Sequence, residues 1–173
     1  MEKFYTKIIG SPVSDDDIRP ITTVQNVIMD PESGKLAALQ VGYGKNMVVL
    51  PMDILSWQDI IKIHSHDSII EANEVLKIDE LMKKDIQIFR NRVESQEGNY
   101  VGRVYDYSID PKSLSLKNLY IAKDILGLFR YNARIIRSKD IVEILKDKII
   151  IKNDLEPVKE EIKSVGVEEM AKA

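Results

Sequence analysis

The chain has 173 residues, 44% of them hydrophobic and 31% charged, with a net charge of −3 and no cysteine. That composition is ordinary for a globular protein, and the missing thiols exclude disulfides, cysteine nucleophiles and thiolate metal sites. No stretch reaches the run of about 18 apolar residues that a membrane helix needs, and Met1-Glu2-Lys3-Phe4-Tyr5 lacks an apolar signal core, so a cytoplasmic location is expected.

Taken in order, Ile8-Ile9-Gly10-Ser11-Pro12-Val13 is a short strand candidate whose proline suits an edge position. Asp15-Asp16-Asp17 reads as a solvated turn, because the alternating ligands and distal bidentate Glu of a calcium loop do not follow it. A strand over residues 21–29 ends at Asp30-Pro31-Glu32-Ser33-Gly34, a turn signal, and Leu36 to Val41 starts the next strand. The tip Gly42-Tyr43-Gly44-Lys45-Asn46 makes a hairpin into Met47 to Leu50. From Met52 to Ile63 the period changes: Ile54, Trp57, Ile60 and Ile61 fall three or four apart, which predicts a helical turn or short helix across the barrel end, with Trp57 as its plug. Ser68-Ile69-Ile70 is the closing strand. Val75, Leu76, Leu81 and Met82 are spaced as on a short amphipathic helix, so residues 72–82 are expected to form a semi-rigid connector.

The second part repeats the first. Val101-Gly102-Arg103-Val104-Tyr105-Asp106-Tyr107-Ser108-Ile109-Asp110-Pro111 stands eighty residues after Ile21 to Pro31, with Val24 answered by Val104, Met29 by Ile109 and Asp30-Pro31 by Asp110-Pro111. Phe89 answers Ile9, Val93 answers Val13, Leu116 answers Leu36 and Ile121 answers Val41. Beyond that point the hairpin tip grows by about seven residues. Ser138 to Ile144 is then matched to Gln58 to Ile63, and Asp147 to Ile151 to Asp67 to Ile70. Residues 153–173 read as an acidic helical tail, with Pro157 in its first turn and Leu155, Val158, Ile162 and Val165 in a stripe. The result is two units of about eighty residues, a size at which folding buries only roughly 60% of the unfolded surface. Residues 1–80 carry 7 basic and 13 acidic side chains, a net of −6, and residues 81–153 carry 15 and 9, a net of +6. Opposite charges on two copies predict that the halves attract each other, within one chain or head to tail between two.

This order of strands and Asp-Pro turns, written twice, resembles the PRC-barrel domain, a small β-barrel found in the photosynthetic reaction-centre H subunit and in ribosome maturation factors of the RimM kind. Thr22 and Asn26 stand in the first copy where the second has the Gly102 and Asp106 that the family usually carries. The resemblance implies an all-β fold of two tandem PRC-type barrels with a short helical connector and a helical C-terminal tail. The barrels span 5–71 (acidic) and 83–152 (basic), with the connector at 72–82 and the tail from 153. It also implies binding rather than chemistry: a non-enzymatic adaptor with no cofactor, similar to small archaeal PRC-barrel proteins, some of which act in cell division. The alternative it implies is a ribosome- or RNA-associated factor resembling the PRC-barrel part of RimM.

The candidate sites are few. His64-Ser65-His66-Asp67 holds both histidines, and a turn before the closing strand is the reading preferred to a metal site. There is no Gly-x-Ser-x-Gly, no phosphate-cradling glycine loop and no dinucleotide fingerprint, so no catalytic, cofactor-binding or metal residue is assigned. Arg90, Arg92, Arg103, Arg130, Arg134, Arg137 and Lys139, with Tyr105 and Tyr107, make the second copy cationic and carry the RNA alternative. The sharpest candidate is the enlarged tip, Ile125-Leu126-Gly127-Leu128-Phe129-Arg130-Tyr131, where most tips are polar. Leu126, Leu128 and Phe129 are expected to anchor a protein partner or a second copy in a homodimer, with Arg130 and Tyr131 as a polar rim.

Overall fold

The structure, a computed structural model, describes residues 1–15, 19–42, 44, 46–125 and 129–153, with side chains described except at 124–131. A short N-terminal segment, strand β1 (Lys3–Phe4) and the single turn α1 (Tyr5–Ile8), precedes the first barrel-like sheet. That sheet contains β2 (Pro12–Ser14), β3 (Thr22–Met29), β4 (Leu36–Val41), β5 (Met47–Val49), β6 (Ile54–Trp57), β7 (Ile61–Ile63) and β8 (Ile69–Glu71). Helix α2 (Leu76–Lys84) leads to β9 (Arg92–Ser95), β10 (Tyr100–Asp110), β11 (Ser115–Ile125), β12 (Phe129–Arg137), β13 (Ile141–Ile144) and β14 (Lys148–Ile151). The molecule is mostly β, as its two alternating copies predict. The helical tail expected from residue 153 onward lies outside the described residues apart from Asn153 itself, and so do Asp16 and Asp17.

The two sheets have one topology. The first runs β6-β7-β2-β3-β4-β5-β8, and the second runs β13-β14-β9-β10-β11-β12 with β1 added beside β10. In each, the first strand of the copy pairs parallel with a late one: Val13 opposes Ile61, and Val93 opposes Ile149. Backbone bonds repeat at the eighty-residue offset: Gly10 N–H donates to Val24 C=O at 2.8 Å, and Arg90 N–H to Val104 C=O at 2.8 Å. Even the irregularities repeat, with bulges at Val24/Asn26 and Val104/Asp106. At these bulges Asn26 Oδ1 accepts from Val27 N–H, and Asp106 Oδ1 accepts from Tyr107 N–H, both at 2.9 Å.

The halves meet across a local two-fold. Lys35 and Ser115, eighty residues apart, form an antiparallel bridge. Leu36 N–H donates to Leu114 C=O and Leu116 N–H to Gly34 C=O, both at 2.7 Å. Each bond is the symmetry mate of the other, which is the signature of an isologous contact, here closed within one chain. One continuous apolar core runs through both halves, from Val13, Leu39 and Ile61 to Val93, Leu119 and Ile149. Each half is also strapped by a segment that precedes the other or itself. Residues 1–8 lie on the second half, where Lys3 and Phe4 pair with Ile109 and Ser108 and Tyr5 stacks on Tyr107 at 4.8 Å between centroids. Helix α2 lies on the first, burying Ile78 against Ile28, Ala38 and Val48.

Four expectations are corrected. The stretch 52–63 is no helix: a 3-10 turn at Pro51–Asp53 leads into the hairpin β6–β7, whose Trp57 packs half-buried against the core. Ile141 to Ile144 corresponds to Ile54 to Trp57 and Ile149 to Ile61, not to the later segments first matched with them. On α2 the buried residue is Ile78, and Leu76 points outward at 72% exposure. The halves of opposite charge do meet within the chain, but through the shared apolar core and the backbone bonds around Lys35 and Ser115; the Lys117–Glu2 pair at 2.9 Å ties the N-terminal segment to the second half.

Candidate partner-binding arm

The hairpin β11–β12 is where the copies diverge most. In the first half, Leu39 pairs with Val49; in the second, Leu119 pairs with Ile136, so the offset has grown from 80 to 87 residues across the tip. The seven added residues extend both strands. The ladder between β10 and β11 begins at Arg103 and Ala122. Past that point β11 and β12 continue to pair with each other alone: Lys123 with Tyr131, Asp124 with Arg130, Ile125 with Phe129. This is a two-stranded ribbon leaving the barrel, a form that is marginal in water without something to pack on. A bulge between Ile121 and Lys123, with Asn132 opposite at φ +51, bends the ribbon at its base. Gly102 shapes that base as well. A Cβ there would sit 2.7 Å from Ala122 C=O, and the φ of +157 also favours glycine.

Of the predicted anchors, Phe129, Arg130 and Tyr131 lie on β12, opposite Ile125, Asp124 and Lys123. Leu126 and Leu128 lie outside the described residues, as do the side chains of all five.

Beside the ribbon base, β9 and β10 carry a cationic surface. The Arg92 guanidinium lies 4.5 Å from the Tyr100 ring centroid, and the Lys123 ammonium 5.9 Å from the same ring. Arg92 also contacts Glu94 at 2.6 Å, and Lys148 reaches the same carboxylate at 3.2 Å. Hydrogen bonds from Arg92 and Lys148 hold the Glu94 carboxyl below its ordinary range. Arg103 donates to Arg90 C=O at 3.2 Å. Arg134, Arg137 and Lys139 are exposed on or after β12. Tyr107 takes no part in this surface, being buried among core residues, and Tyr105 packs near Tyr120.

The other candidates resolve simply. His64 and His66 are exposed in the turn before β8, as the turn reading predicts. Among the described residues, no group of three or more His, Asp or Glu gathers as metal ligands would. A cleft of about 320 Å³ between the halves is lined by residues 31–34, 115–116, 138–139 and 141–144. An apolar groove of about 390 Å³ runs beside α2, past Leu50, Met52 and Val75. Sequence reasoning missed the N-terminal strap, whose Thr6 N–H and hydroxyl both donate to Asp106, at 3.2 and 2.6 Å. The signal was present as a family-typical Asp at 106, but nothing in the sequence told which segment it would hold.

Residues 1–77 match the family model of the PRC-barrel domain. No curated protein matches the chain. Among the described residues, no helix is long and apolar enough to cross a membrane.

Proposed function

We propose that this chain is a non-enzymatic, cytoplasmic protein-binding adaptor made of two PRC-barrel units, the second a divergent copy, and that its partner engages the β11–β12 ribbon. The observation that supports this reading most is the ribbon itself, three residue pairs longer than the barrel can cover. In the sequence, Leu126, Leu128 and Phe129 fall at the turn between these two strands, where most tips are polar, and an exposed apolar cluster is one that soluble monomers avoid. Insertion into a partner, or reciprocally into a second copy, gives them cover. The repeat resembles small archaeal PRC-barrel proteins, some of which act in cell division, and that resemblance supports a role of the same kind here. Truncation of Leu128 and Phe129 to Ala tests the reading. Melting should stay within about 1 kcal/mol of the parent, while self-association by sedimentation and partner capture are lost. A large fall in stability with association intact would mean that the tip folds back on its own barrel.

The runner-up, an RNA- or ribosome-associated factor, draws on the cationic surface around Arg90, Arg92 and Arg103. Its mark would be RNA affinity falling steeply and linearly in log salt.

A further inference from the structure

We propose that Arg90, Arg92 and Arg103, clustered where β9 meets β10, form a carboxylate-reading face that docks an acidic peptide segment of a protein partner. Arg92 and Arg103 are direct cross-strand partners. Like charges so placed repel and destabilise a sheet. The first half has Pro12 opposite Thr23 at the same positions, so the fold does not need charge there. Arg90 adds a second unfavourable choice. It sits in left-handed backbone at φ +66, where the first half uses Gly10 at φ +83. A side chain in that region costs free energy unless something offsets it. At the comparable Leu114, φ +51, the side chain packs against the core. Arg90 instead is exposed, with its guanidinium 5.4 Å from the Phe89 centroid. Two unfavourable placements converging on one patch point to an external ligand that relieves them.

The chemistry of the patch selects the ligand. Among the described residues neither Arg90 nor Arg103 has a carboxylate partner, and both are exposed. Guanidinium forks pair bidentately with carboxylates, and strands roughly 5 Å apart space them for two or three acidic side chains. Single-stranded nucleic acid binds by stacking bases on open aromatic rings. Both rings beside this patch, Phe89 and Tyr100, are already covered by its own cations. This face uses neither Leu128 nor Phe129, so it stands or falls apart from the ribbon.

The test measures binding of fluorescein-labelled octaglutamate and of a decauridylate RNA to the full chain, to Arg90→Gly and to Arg103→Thr. Each variant restores the residue that the first half carries. Octaglutamate affinity should fall about tenfold or more, as for loss of one charge-assisted contact, with Tm equal to the parent's or higher. Unchanged octaglutamate binding overturns the proposal, and so does a lowered Tm, which would make the arginines structural. Decauridylate bound as tightly as octaglutamate overturns it in favour of nucleic acid. Self-association that both variants abolish, without octaglutamate binding to the parent, overturns it in favour of a second copy.

Discussion

At Gly10 and Gly34 the first half passes through left-handed backbone with glycine; at the corresponding Arg90 and Leu114 the second half does so with side chains attached. At Gly102 the roles reverse. There the second half needs the glycine, packed against Ala122 C=O, while the first has Thr22 and places its glycine across the ladder at Gly42, where a Cβ would meet Gln25 and Thr22. The strand order survives all of these exchanges. Topology is therefore carried by the apolar positions and the Asp-Pro turns. The left-handed positions stay in place while their residues change, and the close-contact glycine moves across the ladder, so the second half differs in surface under an unchanged strand order.

Three pairs of substitutions test this difference between the halves. The largest effect is expected at Tyr107, fully buried and stacked on Tyr5 from the N-terminal strap. Its counterpart by offset, Val27, is a smaller buried side chain. Tyr107→Ala should cost about 4 kcal/mol and Val27→Ala about 2 kcal/mol in urea denaturation. Because one core joins the halves, both variants should still unfold in a single transition. Separate transitions for the two halves would overturn the picture of a fused unit.

Next comes Gly102. Gly102→Ala forces a Cβ against Ala122 C=O and should destabilise by about 3 kcal/mol. Thr22→Gly, the reciprocal change in the first half, should stay within about 1 kcal/mol. Equal effects at the two sites would mean that the halves do not differ in their close contact.

The smallest effect separates the two Asp-Pro turns by pH. Burial works to raise the Asp30 carboxyl, but hydrogen bonds from Lys77, Ser33 and Glu32 N–H outweigh it and bring it to about 2. Asp30 is thus protonated less readily when folded than unfolded. Its contribution is present above the unfolded value near 4 and is lost as pH falls towards 2. Asp30→Asn should cost about 2 kcal/mol at pH 7, a difference that closes as the pH approaches 2. Asp110, held low by Lys112 and Ser113 N–H groups, has no helix lysine beside it among its contacts, and Asp110→Asn should be milder. A pH-independent loss in Asp30→Asn would show that the Lys77 contact at 2.6 Å contributes nothing through charge.

Much of this architecture was legible in the sequence because repetition is a local signal. Val24 and Val104, Leu36 and Leu116, and the two Asp-Pro turns announce the strands and their offset, and the longer second tip announces the 87-residue shift. The sequence was misread where a bulge defeats alternation. Between Ile54 and Ser56 the pairing of β6 slips by one residue. Ile54 and Trp57 then fall three apart, which is also the helical spacing. The later mismatch has a similar root, since an Asp followed by isoleucines closes both Ile61–Ile63-like and Ile69–Glu71-like strands, and only pairing with β9 identifies β14 as the former.

Two like β units, their turns, their opposite charge and the place where they diverge are all written along the chain, because each rests on residues adjacent in it. How the units meet emerges only in the folded molecule. The two-fold bridge at Lys35 and Ser115, the strap that brings Thr6 to Asp106, and the meeting of Arg92 with Arg103 join residues far apart in sequence. Their pairing follows from the apolar faces that two marginal half-sized sheets must bury together, which no local pattern records.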